Sequence, residues 1–186
     1  KTLDRLDHEL GALFEGLESF DLPIHVVLVS DHGMLEVNQE NLILLEELME
    51  GIKGRLVNNG ALAHLHLENP KEKEQVIQLL LSRNPNLAID DLSTTENYID
   101  LTAFPQRKGD LLILPKEGYY LTDVKGKVRY QNNAARFGTQ VFGEHGFTPR
   151  YEDMQGIFYA KGPQIKEGLE IEPFQNIHIY PLLCRI

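Results

Sequence analysis

Asp31 and His32 stand side by side where the apolar run Val26-Val27-Leu28-Val29 ends in Ser30 and before Gly33-Met34. A carboxylate and an imidazole together offer the oxygen and nitrogen donors that zinc and similar metals take. In open α/β sheets, the carboxyl end of a strand is where ligands bind. The same residues also suit a turn capped by an aspartate, and the local pattern does not choose between the two. A second candidate stands in Gly143-Glu144-His145-Gly146, 113 positions after His32. The glycines there free the backbone to take unusual dihedrals and to approach a ligand closely.

Two further pairs have ligand-like spacing. Asp4 and His8 lie four apart on a helical pattern, but an acid four residues before a histidine is ordinary surface chemistry, and the pair flanks the apolar stripe. His64 and His66 share one face of the alternating run Ala61–Leu67, and a period of two describes the solvated face of an antiparallel strand equally well. Both pairs read as surface features.

The elements that must position these groups follow from periodicity. Leu3, Leu6, Leu10, Leu13, Phe14 and Leu17 predict an amphipathic helix over 2–18 with one face on a core. A short turn at Asp21-Leu22-Pro23 leads into a buried strand at 24–29, the grammar of an α/β sandwich with a largely parallel sheet. Residues 38–50 fit a strand that passes into a helix. Pro70 opens a helix through Leu81. Short strands follow at Leu87–Ile89, Asn97–Ile99, 110–114 and 119–121, which suggests a small α+β subdomain within 56–140, inserted between core segments 1–55 and 141–186. The polar stretch 122–140 reads as a long surface loop. A strand at 155–160 and a closing helix within 173–186 complete the chain, with Pro181 calling for a late first turn or a kink in that helix.

The composition excludes several function classes. Of 186 residues, 28 are acidic and 18 are Lys or Arg, a net charge of −10, so a basic surface for nucleic acid is not expected. Hydrophobic residues make up 42%, enough for a packed core. No run approaches the ~18 apolar residues of a membrane span. The only cysteine, Cys184, forms no internal disulfide and reads as a small buried residue, which fits cytosol and periplasm equally. The chain begins at Lys1, which fits a processed product or an excised piece.

Taken together, these segments resemble the type I phosphodiesterase/nucleotide pyrophosphatase family of the alkaline phosphatase superfamily. The resemblance is carried by Val29-Ser30-Asp31-His32-Gly33-Met34 and Gly143-Glu144-His145-Gly146-Phe147. It continues through Met154-Gln155-Gly156-Ile157-Phe158-Tyr159-Ala160-Lys161-Gly162-Pro163 and the stretch from Phe174 to Cys184. It implies an alkaline-phosphatase-like α/β/α sandwich and a two-zinc hydrolase of phosphodiester or pyrophosphate bonds, with a small phosphodiester or nucleotide as substrate. Asp31 and His32 inherit the ligand pair of one zinc, and His145 inherits a ligand of the other, so all three are expected to converge.

The family's nucleophilic Thr or Ser, an earlier zinc-binding Asp and an Asp-x-x-x-His pair lie upstream of the helix that resembles 2–18. Asp4 and His8 mimic that last spacing on a different helix and lie outside the expected site. The chain thus resembles the C-terminal part of the catalytic domain, with an incomplete site and no turnover by itself. Thr148-Pro149 replaces the acidic or amide residue usual after the aromatic, which leaves the substrate subtype open. Other superfamily hydrolases, a phosphomutase or a non-catalytic binding module are the alternatives. The resemblance favours the periplasm or cell surface.

Overall fold

The computed structural model describes residues 2–90, 107 and 109–186, and the strand expected at Asn97–Ile99 falls outside them. The chain divides into two compact units, Lys1–Asp31 with Gly156–Ile186, and His32–Gln155.

In the first unit, helix α1 (Thr2–Glu18) has the bounds its apolar stripe predicts. Strand β1 (Val26–Val29) pairs antiparallel with β10 (Phe158–Lys161), Val26 facing Lys161 and Val29 facing Phe158. A 3-10 turn at Asn176–His178 leads into helix α5 (Ile179–Leu183), where Pro181 occupies the first turn, as its missing N–H requires. This unit departs from expectation in burial. α1 contains no buried residue, and Leu3, Leu6 and Leu13 are 78%, 54% and 52% exposed. Leu28 and Val29 of β1 are exposed as well, so the strand read as buried is not. Two four-residue strands aside, α1 and the five-residue α5 are too little to cover both faces of a continuous apolar strand within this unit. Cys184 is also exposed, a correction to its reading as buried.

The second unit holds the core. A four-stranded sheet in the order β4-β5-β7-β6 comprises Gly54–Asn58, Ala63–Leu67, Leu111–Pro115 and Leu87–Asp90, all antiparallel. Ala63, Leu65, Leu111 and Ile113 are buried against Val76 and Leu80 of helix α3 (Lys73–Arg83), which follows a 3-10 turn at Pro70–Glu72. Strand β3 (Leu42–Leu44) pairs with β8 (Tyr120–Thr122) and runs into the short helix α2 (Leu45–Leu48). That is the one parallel ladder among the described residues, so the expectation of a largely parallel sheet is not met. Short turns such as Asn59–Leu62 between β4 and β5 impose antiparallel pairing.

Residues expected to form a long loop instead build helix α4 (Val124–Phe137). The Asp123 side chain accepts from the Gly126 N–H at its start, and Gly138, at φ 66°, ends it. A further strand, β2 (Leu35–Asn38), pairs antiparallel with β9 (Val141–Glu144). Leu35 and Val37 point inward and are almost fully buried, with Ala61, Phe147 and Met154. Among the described residues the protein is a mixed α/β chain.

Candidate functional site

His32 and His145 come together in the second unit. Each lies just beyond the same end of the β2–β9 ladder, whose last rung pairs Leu35 with Glu144. Their rings stack with centroids 3.9 Å apart and planes 12° from parallel.

Local backbone geometry sets each ring. Gly33 N–H donates to Met154 O at 2.9 Å, and Met34 N–H donates to Asp153 O at 2.8 Å. A Cβ at position 33 would sit 2.0 Å from Asp153 O, so only glycine lets these two segments approach and hold His32 in place. His32 Nδ1 lies 2.6 Å from Gly33 O. A carbonyl only accepts, so Nδ1 is the donor, and in the neutral ring the lone pair sits on Nε2. Metal-ligating histidines commonly have their second ring N–H fixed on a carbonyl in this way. Beyond His145, Gly146 adopts φ 93°, a conformation that L side chains resist, and turns the chain so that Phe147 is buried.

Asp31 is exposed and closes the first unit, one peptide bond before His32. The β1–β10 pairing extends to Ser30, whose N–H donates to Ile157 O at 3.0 Å and whose Oγ accepts from Ile157 N–H at 2.7 Å. Asp31 is thus the first residue past a fixed strand end. Among the described residues, no three His, Cys, Asp or Glu side chains gather as a metal cluster.

The pairs read as surface features are so in the structure. Asp4 and His8 are exposed on α1. His64 and His66 alternate with buried Ala63 and Leu65 on β5, half-exposed, and His66 faces Arg55 across the ladder. Burial, with the Arg55 guanidinium second, holds the His66 pKa below the ordinary imidazole value.

Sequence reasoning missed the surroundings of His145. The Tyr130 hydroxyl of α4 donates to the Glu144 carboxylate, and its ring meets Phe142 edge-on at 5.2 Å. The signal was present in two pieces: Phe142 and Glu144 share a strand face by alternation, and Tyr130 and Ala134 share a helix face by their spacing of four.

A family model described as type I phosphodiesterase / nucleotide pyrophosphatase matches residues 1–149. The chain belongs to that family. Its relatives agree. Ectonucleotide pyrophosphatase/phosphodiesterase family member 7 of Rattus norvegicus is 31% identical over 98% of this chain and 40% of its own length. Ectonucleotide pyrophosphatase/phosphodiesterase 1 of Saccharomyces cerevisiae is 30% identical over all of this chain and 27% of its own length. The solved structure of human ectonucleotide pyrophosphatase/phosphodiesterase 5 matches 98% of this chain and 46% of that one, with a TM-score of 0.72 and 23% identity. A murine structure of the same type, an inactive Thr→Ala variant in complex with AMP, matches 97% of this chain and 45% of that one with a TM-score of 0.71 and 22% identity. The family member described here therefore spans less than half the length of these relatives.

Proposed function

We propose that this chain supplies part of the zinc-binding site of a phosphodiesterase or nucleotide pyrophosphatase, with Asp31 and His32 as ligands of one ion and His145 as a ligand of the other. The observation that carries this reading is the stack of His32 on His145, with His32 Nδ1 held on the Gly33 carbonyl. The donor set suits zinc: imidazole nitrogens fixed by backbone partners, next to a carboxylate. Zinc bound there supplies Lewis acidity and charge neutralisation for in-line displacement at phosphorus.

The chain's own residues orient the site. The β2–β9 ladder sets the spacing of the two rings, the Gly33–Asp153 approach fixes the path of the backbone at His32, and the Ser30–Ile157 bonds fix the strand end before Asp31. The attacking hydroxyl and the remaining ligands come from residues outside this chain, so the chain alone does not turn over substrate. One fact supports that part: the relatives extend well beyond the matched region. The substrate class is a nucleotide or other small phosphodiester, supported by the family description and by the AMP held by the murine relative. Relatives named as ectonucleotide enzymes support a setting outside the cytoplasm.

Histidine ring resonances followed during zinc addition test this reading. The ring nitrogens of His32 and His145 shift, and those of His8, His64 and His66 do not. Uniform small shifts across the histidines, or none, would contradict it.

A further inference from the structure

Helix α4 forms the wall behind the strand that carries His145. Along β9, alternation sends Phe142 and Glu144 toward α4 and sends Gly143 and His145 to the opposite face. The neighbours match that division. Tyr130 of α4, only 4% exposed, packs edge-on against Phe142 and donates its hydroxyl to the Glu144 carboxylate. On the other face, a Cβ at Gly143 would meet the Met34 side chain, and His145 lies on His32.

A second tyrosine joins the grip. Tyr120 of β8 stands edge-on to Tyr130 at 6.1 Å and leans on Phe147 at 6.1 Å, and its hydroxyl donates to Asn59 O at 3.3 Å. Tyr151 closes on the far side of Phe147 at 6.4 Å. Residues 142, 144 and 147 are therefore each held by an aromatic side chain or a hydroxyl, and His145 is suspended between them. Glu144 is fixed twice, by its backbone rung to Leu35 and by its side chain. The charge-assisted bond from Tyr130 is of the stronger kind.

We infer that Tyr130, acting through the Glu144 carboxylate and backed by the Tyr120 ring, is a positioning residue that holds His145 against His32. The inference rests on the reading of the two histidines as metal ligands for its functional meaning, though not for its geometry. Removing the Tyr130 hydroxyl leaves the strand end with its backbone rung alone, and the His145 ring then samples positions away from His32. Losing an outer partner of a ligating group lowers metal affinity roughly tenfold or more.

The test uses the full chain with zinc alone as the probe and two readouts: zinc affinity by chelator competition, and the nuclear Overhauser effect between the His32 and His145 rings in the metal-free protein. Tyr130→Phe keeps the aromatic packing and removes only the hydroxyl. Glu144→Leu removes the acceptor, and Glu144→Gln keeps one. The inference expects Tyr130→Phe and Glu144→Leu to weaken the ring-to-ring signal and to reduce zinc affinity about tenfold, with Glu144→Gln close to the unsubstituted chain. An unchanged ring-to-ring signal in Tyr130→Phe overturns it. So does Glu144→Gln behaving like Glu144→Leu, because a merely space-filling residue would show no such rescue. If Glu144→Leu does not fold, Tyr130→Phe decides alone. If the unsubstituted chain takes up no zinc, the metal reading fails, and the metal-free ring signal still decides the positioning claim.

Discussion

His32 and His145 lie 113 positions apart in the chain, and their rings stack at 3.9 Å because both follow the same end of one short antiparallel ladder. Four residue pairs, from Leu35–Glu144 to Asn38–Val141, connect the two segments. Several measurable consequences stem from this arrangement.

Glycine is required at 33 and at 146 for different reasons. At 33 the obstacle is backbone, Asp153 O at 2.0 Å from a new Cβ, so Gly33→Ala displaces one segment and costs ~1–3 kcal/mol or more. At 146 a Cβ would find only ordinary contacts, Ala61 Cβ at 3.6 Å, and the cost is the strained φ of 93° alone, about 1–2 kcal/mol. Denaturant unfolding of the two variants checks the order. Gly33→Ala also shifts the His32 ring resonances.

Helix α4 depends on its cap. Asp123→Ala removes the acceptor for the Gly126 N–H and lowers stability by ~0.5–2 kcal/mol in thermal unfolding. Asp123→Asn keeps an acceptor oxygen and recovers most of the loss. Equal losses in both would assign the effect to charge at the helix start rather than to the hydrogen bond.

Tyr120 and Tyr130 titrate late. Burial, with Glu144 adding to it, pushes both phenols above the ordinary value of 10. A raised pKa in the folded state means the folded chain keeps these protons after the unfolded chain has lost them. Stability is therefore full below about pH 10 and falls as pH rises from there toward the folded values. Phenolate absorbance should show these two of the seven tyrosines lagging until alkaline unfolding releases them. In Tyr130→Phe one lagging group disappears and the alkaline loss of stability becomes shallower.

Protection from hydrogen exchange should differ between the units. Ala63, Leu65, Leu111 and Ile113 are fully buried, whereas Lys1–Asp31 with Gly156–Ile186 contributes no buried hydrophobic residue among those described. Amides of β5 and β7 exchange slowest, and those of Val26–Val29 exchange orders of magnitude faster, as expected for a unit with little buried apolar area. Slow exchange at Val26–Val29 in the isolated chain would contradict the burial pattern.

Much of this structure was legible in the sequence where one periodicity dominated. The stripe Leu3 to Leu17 gave α1 to the residue, and alternation over Ala61–Leu67 gave β5, which starts two residues later at Ala63, with its two histidines on the less buried face. α4 was hidden because it buries only Tyr130 and Ala134 and is otherwise rich in Lys, Arg and Asn. Its Asp123 cap and Gly138 stop were the readable signals. β2 was hidden by its length, four residues with Leu35 and Val37 inward. The meeting of His32 and His145 was legible through their glycines. Its support was not, because the Tyr130–Glu144 bond joins a helix to a strand through tertiary packing. Local pattern carries no record of that.

Zinc uptake by the unsubstituted chain against His32→Ala and His145→Ala tests the central claim most directly. Equilibrium dialysis at neutral pH is predicted to show zinc bound by the unsubstituted chain and reduced in both variants, each still folded by circular dichroism. Equal zinc uptake in all three proteins would contradict it.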